Sequence, residues 1–83
     1  MYTVDVVVSL KKGVADPEGA NTLKALKLLG FENVRDVRYS KMFTLSIDAA
    51  APEEAESVAR EVGDKLLANP VIHSYSVSVR ESE

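Results

Sequence analysis

The sequence predicts an α+β domain of β-α-β-β-α-β order. Three observations carry that expectation: segments with apolar residues at every second position, two amphipathic segments each opened by a proline, and a turn signal at each junction.

Residues 2–10 alternate. Tyr2, Val4, Val6, Val8 and Leu10 take one face, and Thr3, Asp5 and Ser9 the other, with Val7 as the exception. Period two with β-branched enrichment marks a half-buried strand. Lys11-Lys12-Gly13 turns the chain, and Asp16 is the N-cap of the first helix. Pro17 sits where its missing N–H costs nothing, and Glu18 places negative charge at the positive end of the helix dipole. The spacing predicts a helix from Pro17 to Leu29, ended by a left-handed Gly30, with Phe31 folded back on the last turn. Leu23, Ala25, Leu26 and Leu29 share one apolar arc. Leu28 lies off it, toward Lys24, and is either a tolerated surface leucine or a partner contact.

Residues 33–40 hold Val34, Val37 and Tyr39 among charges, which predicts a second strand whose phase the pattern does not fix. Residues 42–48 are clearer, with Phe43, Leu45 and Ile47 on one face and Met42, Thr44, Ser46 and Asp48 on the other. Together these form a short hairpin through Arg38-Tyr39-Ser40-Lys41. Pro52 opens the second helix, and Glu53, Glu54 and Glu56 load its first turns with favourable charge. Ala55, Val58, Ala59, Val62 and Leu66 form its apolar stripe, while Glu56–Arg60 and Glu61–Lys65 are (i, i+4) pairs. Asn69 is expected as a left-handed C-cap, with Pro70 preventing continuation. Val71, His73, Tyr75, Val77 and Val79 then share one parity of a last strand, and Ile72, Ser74, Ser76 and Ser78 the other. Arg80 to Glu83 reads as a charged, frayed tail.

This order gives a single domain, 1–83, of ferredoxin-like sandwich plan: a four-stranded antiparallel sheet with two helices on one face. The opposite face would carry Thr3, Asp5, Val7, Ser9, Thr44, Ser46, Ser74, Ser76 and Ser78. It is either a solvated sheet face or a surface that packs on another copy or a partner, and the residues alone leave both open.

At 83 residues the core is modest, and small domains of this kind gain stability from disulfides, metals or a partner surface. The chain has no Cys and one His, which excludes disulfides and argues against a protein-only zinc site. Association with a partner surface is what remains. Lack of Cys fits a cytoplasmic location. Residues 1–41 carry seven Lys/Arg against five Asp/Glu, and residues 42–83 three against eight. An acidic chain without a basic, aromatic-laced patch argues against nucleic acid as a partner. Met1 to Asp5 lacks a basic leader segment, and no apolar run is long enough to span a membrane.

No constellation for catalysis is visible. His73 has no nucleophile pattern beside it, and the helix-two glutamates sit on solvent-facing sides. There is no phosphate-binding G-x-x-x-x-G-K-[ST] loop, and Lys11-Lys12-Gly13 is too short to specify one.

Val8-Ser9-Leu10-Lys11 followed by Gly13-Val14-x-Asp16-Pro17-x-Gly19 resembles the PurS-type small subunit of phosphoribosylformylglycinamidine synthase. So do Leu29-Gly30-Phe31-x-x-Val34 with Val37-Arg38, Lys41 two residues beyond Tyr39, and Lys65-Leu66-Leu67-Ala68-Asn69-Pro70-Val71-Ile72. The set spans nearly the whole chain in order. Ser40 stands where the family often has glycine, and His73 where it usually has an acidic residue. The resemblance implies a non-catalytic accessory subunit of purine biosynthesis that helps a glutaminase subunit and a large synthetase subunit assemble, and that aids ammonia transfer between them. It implies self-association as a dimer or tetramer, with no cofactor bound by this chain alone. ATP, magnesium and glutamine belong to the partner subunits. It also marks Asp16 and Gly19 at the helix start, Arg38 and Lys41 at the hairpin, and Asn69 at the cap as structural or interface residues; Leu28, from its place off the helix face, joins them as an interface candidate. Ferredoxin-like domains also serve as regulatory modules that bind a small molecule at a dimer interface, and fold alone does not choose between these readings.

Overall fold

The computed structural model describes residues 1–81. Among these, three strands form one antiparallel sheet of order β2-β1-β3: β1 (Tyr2–Leu10), β2 (Ser40–Ile47) and β3 (His73–Glu81). Two helices, α1 (Pro17–Leu28) and α2 (Pro52–Val62), separate the strands, and α2 continues into a widened π-helical turn over Gly63–Leu67.

The core lies between the inner face of β1 and α2. Val4, Val6 and Val8 are buried against Ala55, Ala59 and Ala68, with Phe43, Leu45, Tyr75 and Val77 packed around them. Small alanines let the helix approach the central strand closely, so the β1 valines lose nearly all contact with water. The opposite face carries Thr3, Asp5, Val7, Ser9, Thr44, Ser46, Ser74, Ser76 and Ser78, as the alternation predicted. Asp5 organises that face, accepting a 3.0 Å hydrogen bond from Thr44 Oγ1 and pairing with Arg80 Nε at 3.4 Å.

Gly63 opens the widened turn. A Cβ there would meet the Tyr75 ring at 3.1 Å, so the glycine is where the ring packs against the helix. Ala68 N–H reaches the Gly63 carbonyl at 2.9 Å, and the Tyr75 hydroxyl donates to Asp64 Oδ1 at 2.8 Å and to the Arg60 carbonyl at 3.2 Å.

Four expectations are corrected. The strand expected over 33–40 does not form, and β2 begins only at Ser40, so the sheet has three strands rather than four among the described residues. Its backbone donors go to side chains instead: Val37 N–H to Asp36 Oδ1 at 3.0 Å and Tyr39 N–H to Asp16 Oδ2 at 2.8 Å. The helices do not share one face of the sheet, because α2 alone packs on it and α1 stands off. Asn69 is not left-handed, since among the described residues only Gly13 and Gly30 have positive φ. The helix ends through its π turn, and Asn69 instead begins the next turn, its Oδ1 accepting from Val71 N–H at 3.0 Å. Arg80 and Glu81 belong to β3 rather than to a frayed tail, and the expectation for Ser82 and Glu83 lies outside the described residues.

Gly30 does end α1, at φ +96°, with Phe31 N–H bonded to the Leu26 carbonyl and Gly30 N–H to that of Lys27. The molecule measures 50 × 30 × 14 Å, with a radius of gyration of 16.1 Å. A compact chain of this length would have about 12 Å. The excess reflects the stand-off of α1. No helix among the described residues is long and apolar enough to cross a membrane.

Val6→Ala deletes two methyl groups from the fully buried centre of β1. It should cost about 2 kcal/mol, read as a lower urea midpoint with an unchanged slope.

Candidate interaction site

The residues singled out in the sequence converge unequally. Asp16, Gly19, Arg38 and Lys41 meet where β1 ends, α1 begins and β2 starts. Leu28 lies about 18 Å along the α1 axis from Asp16, and Asn69 sits in the α2–β3 turn.

Asp16 holds the junction. Its Oδ1 accepts from Gly19 N–H at 2.9 Å, which caps α1, and its Oδ2 accepts from Tyr39 N–H at 2.8 Å, which fixes the approach to β2. Arg38 closes the third side, with Nε 4.0 Å from Asp16 Oδ2 and a terminal nitrogen donating to the Leu10 carbonyl at 3.1 Å. One carboxylate and one guanidinium therefore join three segments. The Tyr39 and Gly19 N–H groups, and then the Arg38 charge, hold the Asp16 carboxyl below the usual carboxylate range. Gly19 is buried with no room for a side chain. A Cβ there would run into the Val37 carbonyl and lie 2.7 Å from Asp16 Oδ2.

Beside this junction is a cleft of about 220 Å³, lined by Val8, Leu10, Phe43 and Leu67 with Asp16, Lys41 and His73 at its polar margin. Lys41 is exposed, one residue into β2 and opposite Val8. His73 was not marked as a site residue in the sequence. Its Nδ1 accepts from Asn69 N–H at 2.8 Å, which leaves Nε2 to carry the proton of the neutral ring. Lys11 was also missed. Its Nζ reaches the Pro70 carbonyl at 2.6 Å and its N–H the Ile72 carbonyl at 2.8 Å, clasping the Asn69 turn to the end of β1. Parity in β3 placed His73 on the inner face, but nothing in the sequence pairs Lys11 with residues 59 and 61 positions away.

Leu28 is 80% exposed and borders an open apolar groove on α1 with Ala20, Leu23, Lys24 and Lys27. Leu29 and Phe31 are exposed too, at 73% and 52%. Among the described residues no cluster of His, Cys, Asp and Glu could hold a metal ion.

Gly19→Ala should destabilise the chain by about 1–3 kcal/mol through overpacking, checked by thermal unfolding. Asp16→Ala should lower Tm by about 5 °C through the lost cap. A carboxylate with a lowered folded pKa stabilises the fold above its unfolded value, and that contribution is lost as pH falls through the folded one. Wild-type stability should therefore drop below about pH 4, and Asp16→Ala should show a shallower drop over the same range.

Comparison with known proteins bears on what this surface serves. Residues 3–81 match the PurS family, described as phosphoribosylformylglycinamidine (FGAM) synthase. The chain is 56% identical over 77 residues to the phosphoribosylformylglycinamidine synthase subunit PurS of Archaeoglobus fulgidus, covering 93% of this chain and 96% of that one. The crystal structure of Methanocaldococcus jannaschii PurS, a subunit of formylglycinamide ribonucleotide amidotransferase, superposes with a TM-score of 0.91 at 43% identity, covering 100% of both chains. A chain of the PurLQS structure from Thermotoga maritima superposes with a TM-score of 0.85 at 25% identity, covering 96% of this chain and 99% of that one. By match across nearly its whole length, the chain belongs to the PurS family of FGAM synthase subunits, in purine biosynthesis.

Proposed function

We propose that the chain is a non-catalytic accessory subunit of the FGAM synthase complex. It holds the glutaminase subunit and the large synthetase subunit in register, and so helps ammonia released from glutamine reach activated formylglycinamide ribonucleotide. ATP, magnesium and glutamine are handled by those partners. The chain acts in the cytoplasm as a single domain that self-associates as a dimer or tetramer. Arg38, Lys41 and the hydroxyl-rich sheet face are its first candidates for partner contact, with Asp16, Gly19 and Asn69 shaping the backbone beneath them.

The observation that carries this reading is end-to-end similarity to PurS chains, one of them within a PurLQS structure. The surface agrees with it. Leu28, Leu29, Phe31, Leu66 and Val71 are each more than half exposed on a chain whose fully buried side chains are few and small. Monomers of this size rarely leave so much large apolar surface in water.

The test is reconstitution. Glutamine-dependent FGAM formation by the purified glutaminase and synthetase subunits should fall at least tenfold when this chain is omitted. The three proteins should also co-elute on size exclusion. An unchanged rate and no co-elution would reject the role.

A further inference from the structure

We infer that the cleft beside the Asp16 junction binds a free α-amino acid with an aliphatic side chain, its carboxylate held at Lys41 and His73 and its ammonium at Glu18. The inference goes beyond the accessory role and does not rest on it.

The cleft has the size for such a ligand. Its volume is about 220 Å³, larger than the ~150 Å³ of an apolar cavity that takes benzene and smaller than the ~300 Å³ where drug-sized pockets begin. That range corresponds to roughly ten non-hydrogen atoms. Val8, Leu10, Phe43 and Leu67 give it an apolar lining, which suits an aliphatic group rather than a sugar.

Lys41 supplies the cation. It lies opposite Val8 in the β2–β1 register, so it shares the inner face of the sheet with a buried valine. Because α1 stands off, the lysine is left exposed there, and it forms no hydrogen bond or ion pair among the described residues. On the other side of β1, His73 lies opposite Leu10 and lines the same cleft. Its Nδ1 accepts from Asn69 N–H, so Nε2–H is its remaining donor. The two residues stand on strands two spacings apart, about 10 Å. A carboxylate lying over β1 bridges that gap, reached by the long lysine stem from one side and the ring from the other.

Glu18 supplies the opposite charge. It lines the cleft from the first turn of α1, and its carboxylate has no partner among the described residues. Asp16 does not compete for Lys41, because its oxygens already accept from Gly19 and Tyr39 N–H and Arg38 stands beside it. A simple acid in the cleft would leave Glu18 unpaired, and a simple amine would leave Lys41 unpaired. A zwitterion satisfies both. It also links α1 to β2 and β3 where the helix leaves the sheet, so binding stabilises the fold.

The full-length chain is titrated with L-valine, L-leucine and L-methionine in turn, followed by thermal unfolding and by two-dimensional amide NMR. At least one should raise Tm by about 4 °C at about 10 mM, and the amides that shift should centre on Val8, Glu18, Lys41 and His73. Leucinamide, which lacks the carboxylate, and 4-methylpentanoate, which lacks the ammonium, should each bind at least tenfold more weakly than leucine. Lys41→Met keeps an apolar stem and should weaken amino-acid binding at least tenfold with an unchanged circular dichroism spectrum, and Lys41→Arg should restore it. Glu18→Gln should remove the preference for leucine over 4-methylpentanoate. No response to any of the three amino acids, shifts centred elsewhere, or equal binding of 4-methylpentanoate by the unaltered chain overturns the inference. So does loss of co-elution with the glutaminase and synthetase subunits in Lys41→Met when the unaltered chain ignores amino acids, the result that a partner carboxylate in the cleft would give.

Discussion

One carboxylate decides how the rest of the chain is arranged. Asp16 accepts from Gly19 N–H on one oxygen and Tyr39 N–H on the other, and the Arg38 that stands beside it also holds the last carbonyl of β1. A strand end, a helix start and the approach to β2 are thereby fixed relative to one another. Hydrogen bonds to a charged acceptor are stronger than neutral ones. Because the group accepts from backbone, it constrains the path of the chain and not only a side-chain position. Gly19 follows from the same geometry, since the Val37 carbonyl occupies the space a side chain would need.

The junction also explains what the fold leaves undone. Tyr39 N–H is committed to Asp16 and Val37 N–H to Asp36, so these donors are not offered to a neighbouring strand, and no strand forms before Ser40. The sheet keeps β1 at its centre, where both edges are paired and the valines are buried. A single helix covers one face. The core that results is made of valines and alanines, with larger residues only half buried around it. Such a core suffices to order the sheet but does not draw α1 onto it.

The sheet was legible because its signal is local. Alternation in 2–10, 42–48 and 71–79 located the three strands among the described residues and assigned the serines of the outer face except Ser40, which was read as a turn residue, and the two prolines located both helix starts. Gly30 was legible for the same reason, as the backbone geometry there excludes most other residues. The misreadings are all tertiary. Val34, Val37 and Tyr39 have strand-like composition, but the Phe31 carbonyl took the Val34 N–H, and side chains 1 and 23 residues away took those of Val37 and Tyr39. Asn69 has the composition of a C-cap, yet Tyr75, packed on Gly63, accompanies the wider turn that ends the helix before it. The site shows the same limit. Asp16 could be read as a cap, but not as the acceptor for Tyr39, and Lys11 gained its partners only through the return of β3 beside β1.

Stand-off of α1 then has a thermodynamic consequence for how the chain exists. Stability of a small domain is the narrow difference between burial and conformational entropy. Here α1 carries its full ordering cost while Leu28 and Leu29 remain in water. Its cap and its Schellman motif set where the helix begins and ends, but isolated helices of 12 residues are marginal even when well capped. The apolar burial that would offset the cost is absent within the chain and present in any contact that covers the α1 groove. A contact that covers the α1 groove would therefore stabilise α1 as it forms. A subunit whose proposed work is to join others places its unspent apolar surface on the element least held by its own core.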